Sequence, residues 1–424
     1  MTSIKGNLYK KLAIKGSVVL LLNIWGVVPL FAQEEIGLAA ALRATLSQHP
    51  ALGGKRAEID EKKFMGDSAR AQRYPSLSGQ ISAQHTNNYP VGIRARQPLW
   101  AFGRIDNGIA YADTDVQVQT ADLLRVKRDF LEKTAVAYVR ILGIRERLNV
   151  ADDNETSLDV LYQQIKRREE GLIASRADVR LARARYLQAQ SRKERMLSEL
   201  GIAENELISL TQSYVNSTQD IPKQVTLLSS AEEMAILAQS TSAEVRFKEE
   251  KIHLAQAGVE REKSLPMPTV YLQMDYFYNH QETGNSDIRV GVTVEANLEG
   301  MGFAAYGRNN AAGAQLQAVR AELNTTRNEI KREVNSLYTN RQAQEEIALS
   351  QTDSVTELSE ILLSYQRQYN AGQKPWLEVL NMQRELTEQR YQLVQSKNDW
   401  LLYTLKLSAL TGGLDALVGK KVAE

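Results

Sequence analysis

The sequence predicts a mainly α-helical protein built as a tandem repeat, with four β-strands suited to a transmembrane β-barrel shared between chains. Three observations carry that expectation. The two halves of the chain resemble each other at an offset near 200 residues. Each half holds a long proline-free segment that reads as one helix, and each holds a pair of short segments in which apolar and polar residues alternate.

Composition bounds the answer first. With 43% hydrophobic and 24% charged residues, the chain has the make-up of an ordered protein. A net charge of +1 leaves no basic excess for nucleic acid, so no nucleic-acid partner is expected. None of the 424 residues is cysteine. That excludes disulfides, a thiol nucleophile, Cys-ligated metal and a lipid anchor on cysteine.

Residues 1–32 read as a secretory signal peptide. Lys5, Lys10, Lys11 and Lys15 form a basic start, and residues 17–32 form an apolar stretch ending at Ala32. The alternative is an N-terminal membrane anchor. Beyond this segment no apolar run approaches the roughly 18 to 20 residues of a membrane-spanning helix. The remainder is therefore expected to be periplasmic, secreted, or held in the outer membrane by strands.

The repeat divides the chain into a first unit at 33–212, a linker at 213–228, a second unit at 229–412 and a tail at 413–424. Each unit is expected to run helix, two strands, long helix, turn, helix. In the first unit, 36–73 is helical in composition and stops at Tyr74-Pro75, because the residue before proline disfavours the α region. Strands follow at 77–86 and 91–100, flanking the turn residues Asn87, Asn88 and Pro90. From Gly103 to Glu170 there is no proline, and Gly108 and Gly143 are the only interior glycines. At ~1.5 Å per residue such a helix is on the order of 100 Å long.

The second unit repeats this plan, with a strand pair at 269–299 and a long helix at 306–370. Asp178-Val179 aligns with Glu378-Val379, and 207–211 aligns with 407–411. Phe102-Gly103-Arg104 aligns with Tyr306-Gly307-Arg308, and Pro75 with Pro268. The drift in offset is assigned to a longer turn at 281–287. The second long helix carries a 3-4 spacing through Leu316, Val319, Leu323, Thr326 and Ile330, resumed at Val355, Leu358, Leu362, Tyr365 and Tyr369. This is the pattern of a coiled-coil seam.

In the strands, Val290, Val292, Val294, Ala296 and Leu298 alternate with Gly291, Thr293, Glu295 and Asn297. Val270, Leu272, Met274, Tyr276 and Tyr278 alternate with Tyr271, Gln273, Asp275, Phe277 and Asn279. Strands of about 9 to 11 residues with apolar-out, polar-in alternation fit a membrane barrel, with aromatic residues at its rims. The smallest such barrels need about eight strands. Four strands cannot close a barrel, and an open edge in lipid leaves backbone groups unpaired. Two, three or four chains would have to share one barrel.

An enzyme is not expected. His49, His85, His253 and His280 lack metal-ligand spacing, and Gly300-Met301-Gly302 lacks the third glycine of a dinucleotide loop. No cofactor or catalytic residue is therefore assigned.

Tyr369-Asn370-Ala371-Gly372, Trp376-Leu377-Glu378-Val379-Leu380-Asn381 and the run 402–407 closely resemble the second-half signature of the TolC family. Gly171-Leu172-Ile173 with Asp178-Val179 resembles its first-half signature. Arg96-Gln97-Pro98-Leu99-Trp100 with Gly103-Arg104 resembles its strand-to-helix passage. The resemblance spans essentially the whole chain after residue 32. It implies a homotrimer with a twelve-stranded outer-membrane barrel continued by a long periplasmic α-helical barrel. The implied partners are a periplasmic membrane-fusion adaptor and an inner-membrane ABC transporter or RND pump, with outer-membrane lipid around the barrel.

The same resemblance implies roles for single residues. Asp178, Tyr369 and Lys374 would hold a closed periplasmic gate, Asp178 also being a candidate helix cap. Glu378 and Asn381 would form the constriction, where the family carries two acids and this chain carries one. The turns around Gly171, Leu172, Gly372 and Gln373 would contact the adaptor, the first turn being read as one residue longer than the second. Because no N-terminal cysteine is available for lipidation, the implied task is type I protein secretion of an adhesin or toxin. Multidrug efflux is the alternative, and a soluble periplasmic coiled-coil adaptor is a further one.

Overall fold

Helix formation in this chain is interrupted where backbone chemistry demands it, and the two halves reach the same break differently. The computed structural model describes residues 37–81, 91–213, 221, 230–278, 286–297 and 299–419. The signal-peptide segment, most of the 213–228 linker, His85, His280, Leu298 and the end of the tail lie outside the described residues. So do the hairpin residues Asn87, Asn88 and Pro90 and most of the 281–287 turn.

The single helix expected at 36–73 is two helices, α1 (Leu38–Gln48) and α2 (Pro50–Ala71). His49 is extended at φ −66°, ψ 123° and its ring accepts the Ala51 N–H at 3.2 Å. Pro50 forces this, since it suits the first helical position and disfavours helix in the residue before it. The second half breaks at the matching place, between α5 (Ala231–Thr241) and α6 (Ala243–Ser264). There Ser242 does the work without proline, its hydroxyl accepting the Val245 N–H.

Four antiparallel strands follow one another in space: β1 (Ser76–Ile81), β2 (Val91–Trp100), β3 (Thr269–Tyr278) and β4 (Ser286–Glu295). Pairing of β2 with β3 joins the two halves in one sheet. The register puts Leu77 opposite Ala95, Ala95 opposite Met274 and Met274 opposite Val290. It likewise sets Leu272 opposite Val292 and Val270 opposite Val294. These side chains share one face, which is apolar and exposed: Val290, Val292 and Val294 are each about two-thirds accessible. The other face is polar. Arg94 bonds Asp275 at 2.6 Å and Arg96 bonds Glu295 at 3.1 Å. Oil outside and paired charge inside is the pattern of a strand set between lipid and water.

The passages from sheet to long helix correct the sequence alignment. Before α3 (Arg104–Glu170), Phe102 and Gly103 are left-handed at φ 48° and 84°. Before α7 (Phe303–Asn370), Met301 and Gly302 are left-handed at φ 58° and 93°. Gly103 thus corresponds to Gly302, and Gly307 lies inside α7, which starts at Phe303 and not at Tyr306. The Gly-Arg likeness misled because the passage needs two consecutive left-handed residues, and only the 300–302 run supplies them.

α3 and α7, at 67 and 68 residues, are each on the order of 100 Å long. Each returns through a tight turn into α4 (Arg176–Thr211) or α8 (Trp376–Leu410), and α9 (Gly413–Val418) closes the described chain. Val319, Leu323, Thr326, Ile330, Leu362 and Tyr369 of the expected seam are buried. Tyr138, Leu42 and Ile141 centre a core of α1, α2, α3, α4, α8 and α9, and Met234, Ala238 and Val334 centre one of α5, α6, α7 and α8. α8 also lies on α3 so closely at Gly143 that an added Cβ would run into the Asn398 side chain.

Candidate functional site at the hairpin tips

The two tip turns are copies of each other. Gly171, Leu172 and Ile173 donate their N–H groups to the carbonyls of Arg167, Glu169 and Arg168. Ala371, Gly372 and Gln373 donate in the same pattern to Arg367, Tyr369 and Gln368. Both turns span five residues, 171–175 and 371–375, so the expected extra residue in the first is absent. Leu172, at φ 61°, is therefore the counterpart of Gly372, at φ 74°, and Gly171 is not. Leu172 and Ile173 are 95% and 77% accessible, giving the first tip an apolar point.

Beyond the turns the copies diverge, and one residue causes it. Ser175 caps α4 and forms a full capping box with Asp178: its hydroxyl accepts the Asp178 N–H at 3.1 Å, and its own N–H reaches Asp178 Oδ2 at 3.1 Å. Hydrogen bonds from Ser175 hold the Asp178 carboxyl below its ordinary range, and the Trp376 indole adds to this. At the matching position α8 is preceded by Pro375, which has no N–H for a carboxylate to cap. Glu378, the counterpart of Asp178, is left free and pairs with Lys374. The Lys374 ammonium also sits 3.7 Å from the centre of the Tyr365 ring. Its pKa is raised, chiefly by the hydrogen bond to Glu378.

Tyr369 is 5% accessible. Arg168, at the end of α3, covers its ring with Cζ 4.1 Å from the centroid and donates to the Tyr369 carbonyl at 3.4 Å. Burial raises the Tyr369 pKa, Arg168 opposes this, and the Asp178 charge adds to it, so the carboxylate acts on this ring. Trp376 packs against the apolar clusters of both hairpins, beside Leu158 and Ile165 on one side and Leu362 and Val379 on the other.

The structure therefore brings Tyr369 and Asp178 together with Arg168 and Trp376. Within one chain it gives Lys374 to Glu378 and not to Asp178. Asn381 is exposed one turn further along α8, in a groove against α4. Arg168 escaped the sequence reading because its repeat counterpart is Gln368, and Trp376 appeared there only as part of a motif. Among the described residues no cluster of His, Asp or Glu could hold a metal ion, and no helix is long and apolar enough to cross a membrane.

The model of the family described as "Outer membrane efflux protein" matches residues 41–212 and 237–413, one match in each repeat. The outer membrane efflux protein BepC of Brucella suis biovar 1 (strain 1330) is 20% identical over 410 residues, covering 91% of this chain and 88% of that protein. Among solved structures, CusC superposes with a TM-score of 0.76 at 16% identity, over 88% of this chain and 91% of CusC. VceC of Vibrio cholerae gives 0.74 at 16% identity, over 88% and 96%. The apolar sheet face, the paired long hairpins and the family match agree, and the chain belongs to the outer membrane efflux protein family as a TolC-like channel of the Gram-negative outer membrane, not an enzyme.

Proposed function

We propose that the chain, exported by the signal peptide at 1–32, assembles as a homotrimer whose four strands per chain close one barrel. The duct would receive cargo from an inner-membrane ABC transporter through a periplasmic adaptor seated on the tips, at Gly171, Leu172, Gly372 and Gln373. The observation that carries this reading is the sheet itself. Its apolar face is exposed, and among the described residues its two edge strands, β1 and β4, have no outer neighbours. Unpaired edges in lipid require further copies.

The tips would act as the gate. Asp178 and Tyr369 hold the two hairpins of one chain, and Lys374 is available to a neighbouring chain by exchanging Glu378 for another carboxylate. Glu378 and Asn381 would line the constriction. The absence of cysteine favours type I protein secretion, whereas the efflux name carried by BepC favours small-molecule export. Native mass spectrometry in detergent should give about three chain masses, and the same sample should form channels in planar bilayers. A stable monomer without conductance would overturn the duct. A deletion strain that loses a protein from its culture medium, with unchanged drug sensitivity, would select secretion.

A further inference from the structure

Above the tips, α4 and α8 both pack on α3 and leave a groove of about 300 Å³ between them. Its lining is strongly basic. Arg185, Arg192 and Arg195 enter from α4, and Arg384 enters from α8 beside Asn381. One acid, Glu388, opposes them and pairs with Arg192 at 3.3 Å. Among the described residues Arg185, Arg195 and Arg384 have no carboxylate within ion-pair distance, so three of the four guanidinium groups remain uncompensated.

Unbalanced charge held in a cleft has a physical consequence. A low-dielectric wall focuses the field and concentrates counter-ions of the opposite sign. Guanidinium groups offer planar pairs of N–H donors that match phosphate and carboxylate oxygens. The α4 arginines lie 7 and 3 residues apart, so they rise along one side of the groove over roughly 15 Å. Arg192 is held in place, with its Cζ 4.0 Å from the Tyr391 ring centroid. The cavity is at the small-molecule end of the range for ligand sites, which suits a compact ligand better than a protein segment.

We infer that this groove is a binding site for compact multivalent oxyanions, placed in the conduit wall one turn beyond Glu378. Its position on the conduit rests on the constriction reading of Asn381; its chemistry rests on the arginines alone. Anionic solutes would accumulate at this level, and a multivalent one would obstruct the passage of current.

Two measurements on the detergent-extracted full-length protein separate these parts. Calorimetry with inorganic tripolyphosphate should show binding that Arg384→Glu or Arg195→Glu weakens about tenfold or more. Arg320→Glu, the same charge change outside the groove, should leave it unchanged. Citrate, used as a carboxylate probe, should compete if the site reads charge and oxygen geometry and not phosphorus. No binding to the unaltered protein, or equal losses in Arg384→Glu and Arg320→Glu, would overturn the site. Because the chain has no native cysteine, Asn381→Cys gives a single thiol for a charged methanethiosulfonate reagent in planar bilayers. Modification should change the current, and tripolyphosphate should block wild type far more strongly than Arg384→Glu. A silent thiol with calorimetric binding intact would refute the constriction reading while leaving the anion site standing.

Discussion

Arg168 lies across the ring of Tyr369, with Cζ 4.1 Å from the centroid, and so ties the end of α3 to the end of α7. Neither residue is near the other in sequence, and together with Trp376 they join the two hairpins at their tips. A contact of this kind contributes about 0.5 to 1 kcal/mol where partly exposed. In the proposed trimer, three copies acting on one opening transition of the proposed gate would shift its equilibrium by roughly tenfold or more.

Arg168→Ala should therefore raise single-channel conductance, with Arg168→Lys intermediate. Tyr369→Phe keeps the ring and should change little alone, whereas Tyr369→Leu should match Arg168→Ala. Single-channel recording in planar bilayers checks the series. A leaky Tyr369→Phe channel would mean that the phenol, and not the ring face, holds the tip.

Asp178 sets a pH limit on the same tip. Its folded pKa is lowered from 3.8, with Ser175 as the leading cause. A depressed carboxylate contributes stability that is present above the unfolded value and lost as pH falls through the folded one. Conductance should accordingly rise in acid below the ordinary carboxylate range, and Asp178→Asn should remove that acid step. Ser175→Ala should weaken the α4 start by about 1 kcal/mol at neutral pH. An acid step that survives in Asp178→Asn would assign it to another group.

The tyrosine gives a limit at the other end. Burial raises the Tyr369 pKa above 10.0, and a group of raised folded pKa contributes fully below its unfolded value. The tip should hold to pH 10 and loosen as pH rises through the raised value. Ultraviolet titration of tyrosinate in wild type against Tyr369→Phe should resolve one late-ionising phenol per chain.

On the sheet, Val292→Arg or Val294→Arg should impair membrane insertion, at a cost of roughly 2 to 4 kcal/mol near the midplane. Thr293→Arg, on the face that carries the Arg94–Asp275 pair, should be tolerated. Outer-membrane fractionation of the variants reads this directly. Equal tolerance at all three positions would mean that the apolar face never meets lipid.

Gly143 tests the packing of α8 on α3. Gly143→Leu should lower thermal stability by about 2 kcal/mol or more, because its side chain enters the space of Asn398. Asn398→Ala should restore part of the loss. An additive pair would show that the two helices do not touch there.

The sequence by itself determined the period-2 strands, the proline-free long helices and the duplication, because local alternation, the missing prolines and repeated residues are properties of the chain. Those features, with the family signature, were enough for the fold and the channel class. Tertiary structure alone decided where the repeat is not a repeat. Pro50 and Ser242 make one break with different chemistry. Gly103 and Gly302 proved equivalent because backbone handedness, not side-chain likeness, governs the start of a long helix. At the tips, Ser175 and Pro375 stand at the same position, and only the serine has an N–H to offer. That single missing donor frees Glu378 for Lys374 while Asp178 stays in its cap. Arg168 reaches Tyr369 across two hairpins, a proximity that no spacing along the chain encodes, because it arises only when α8 packs on α3 and brings the end of α7 to the end of α3.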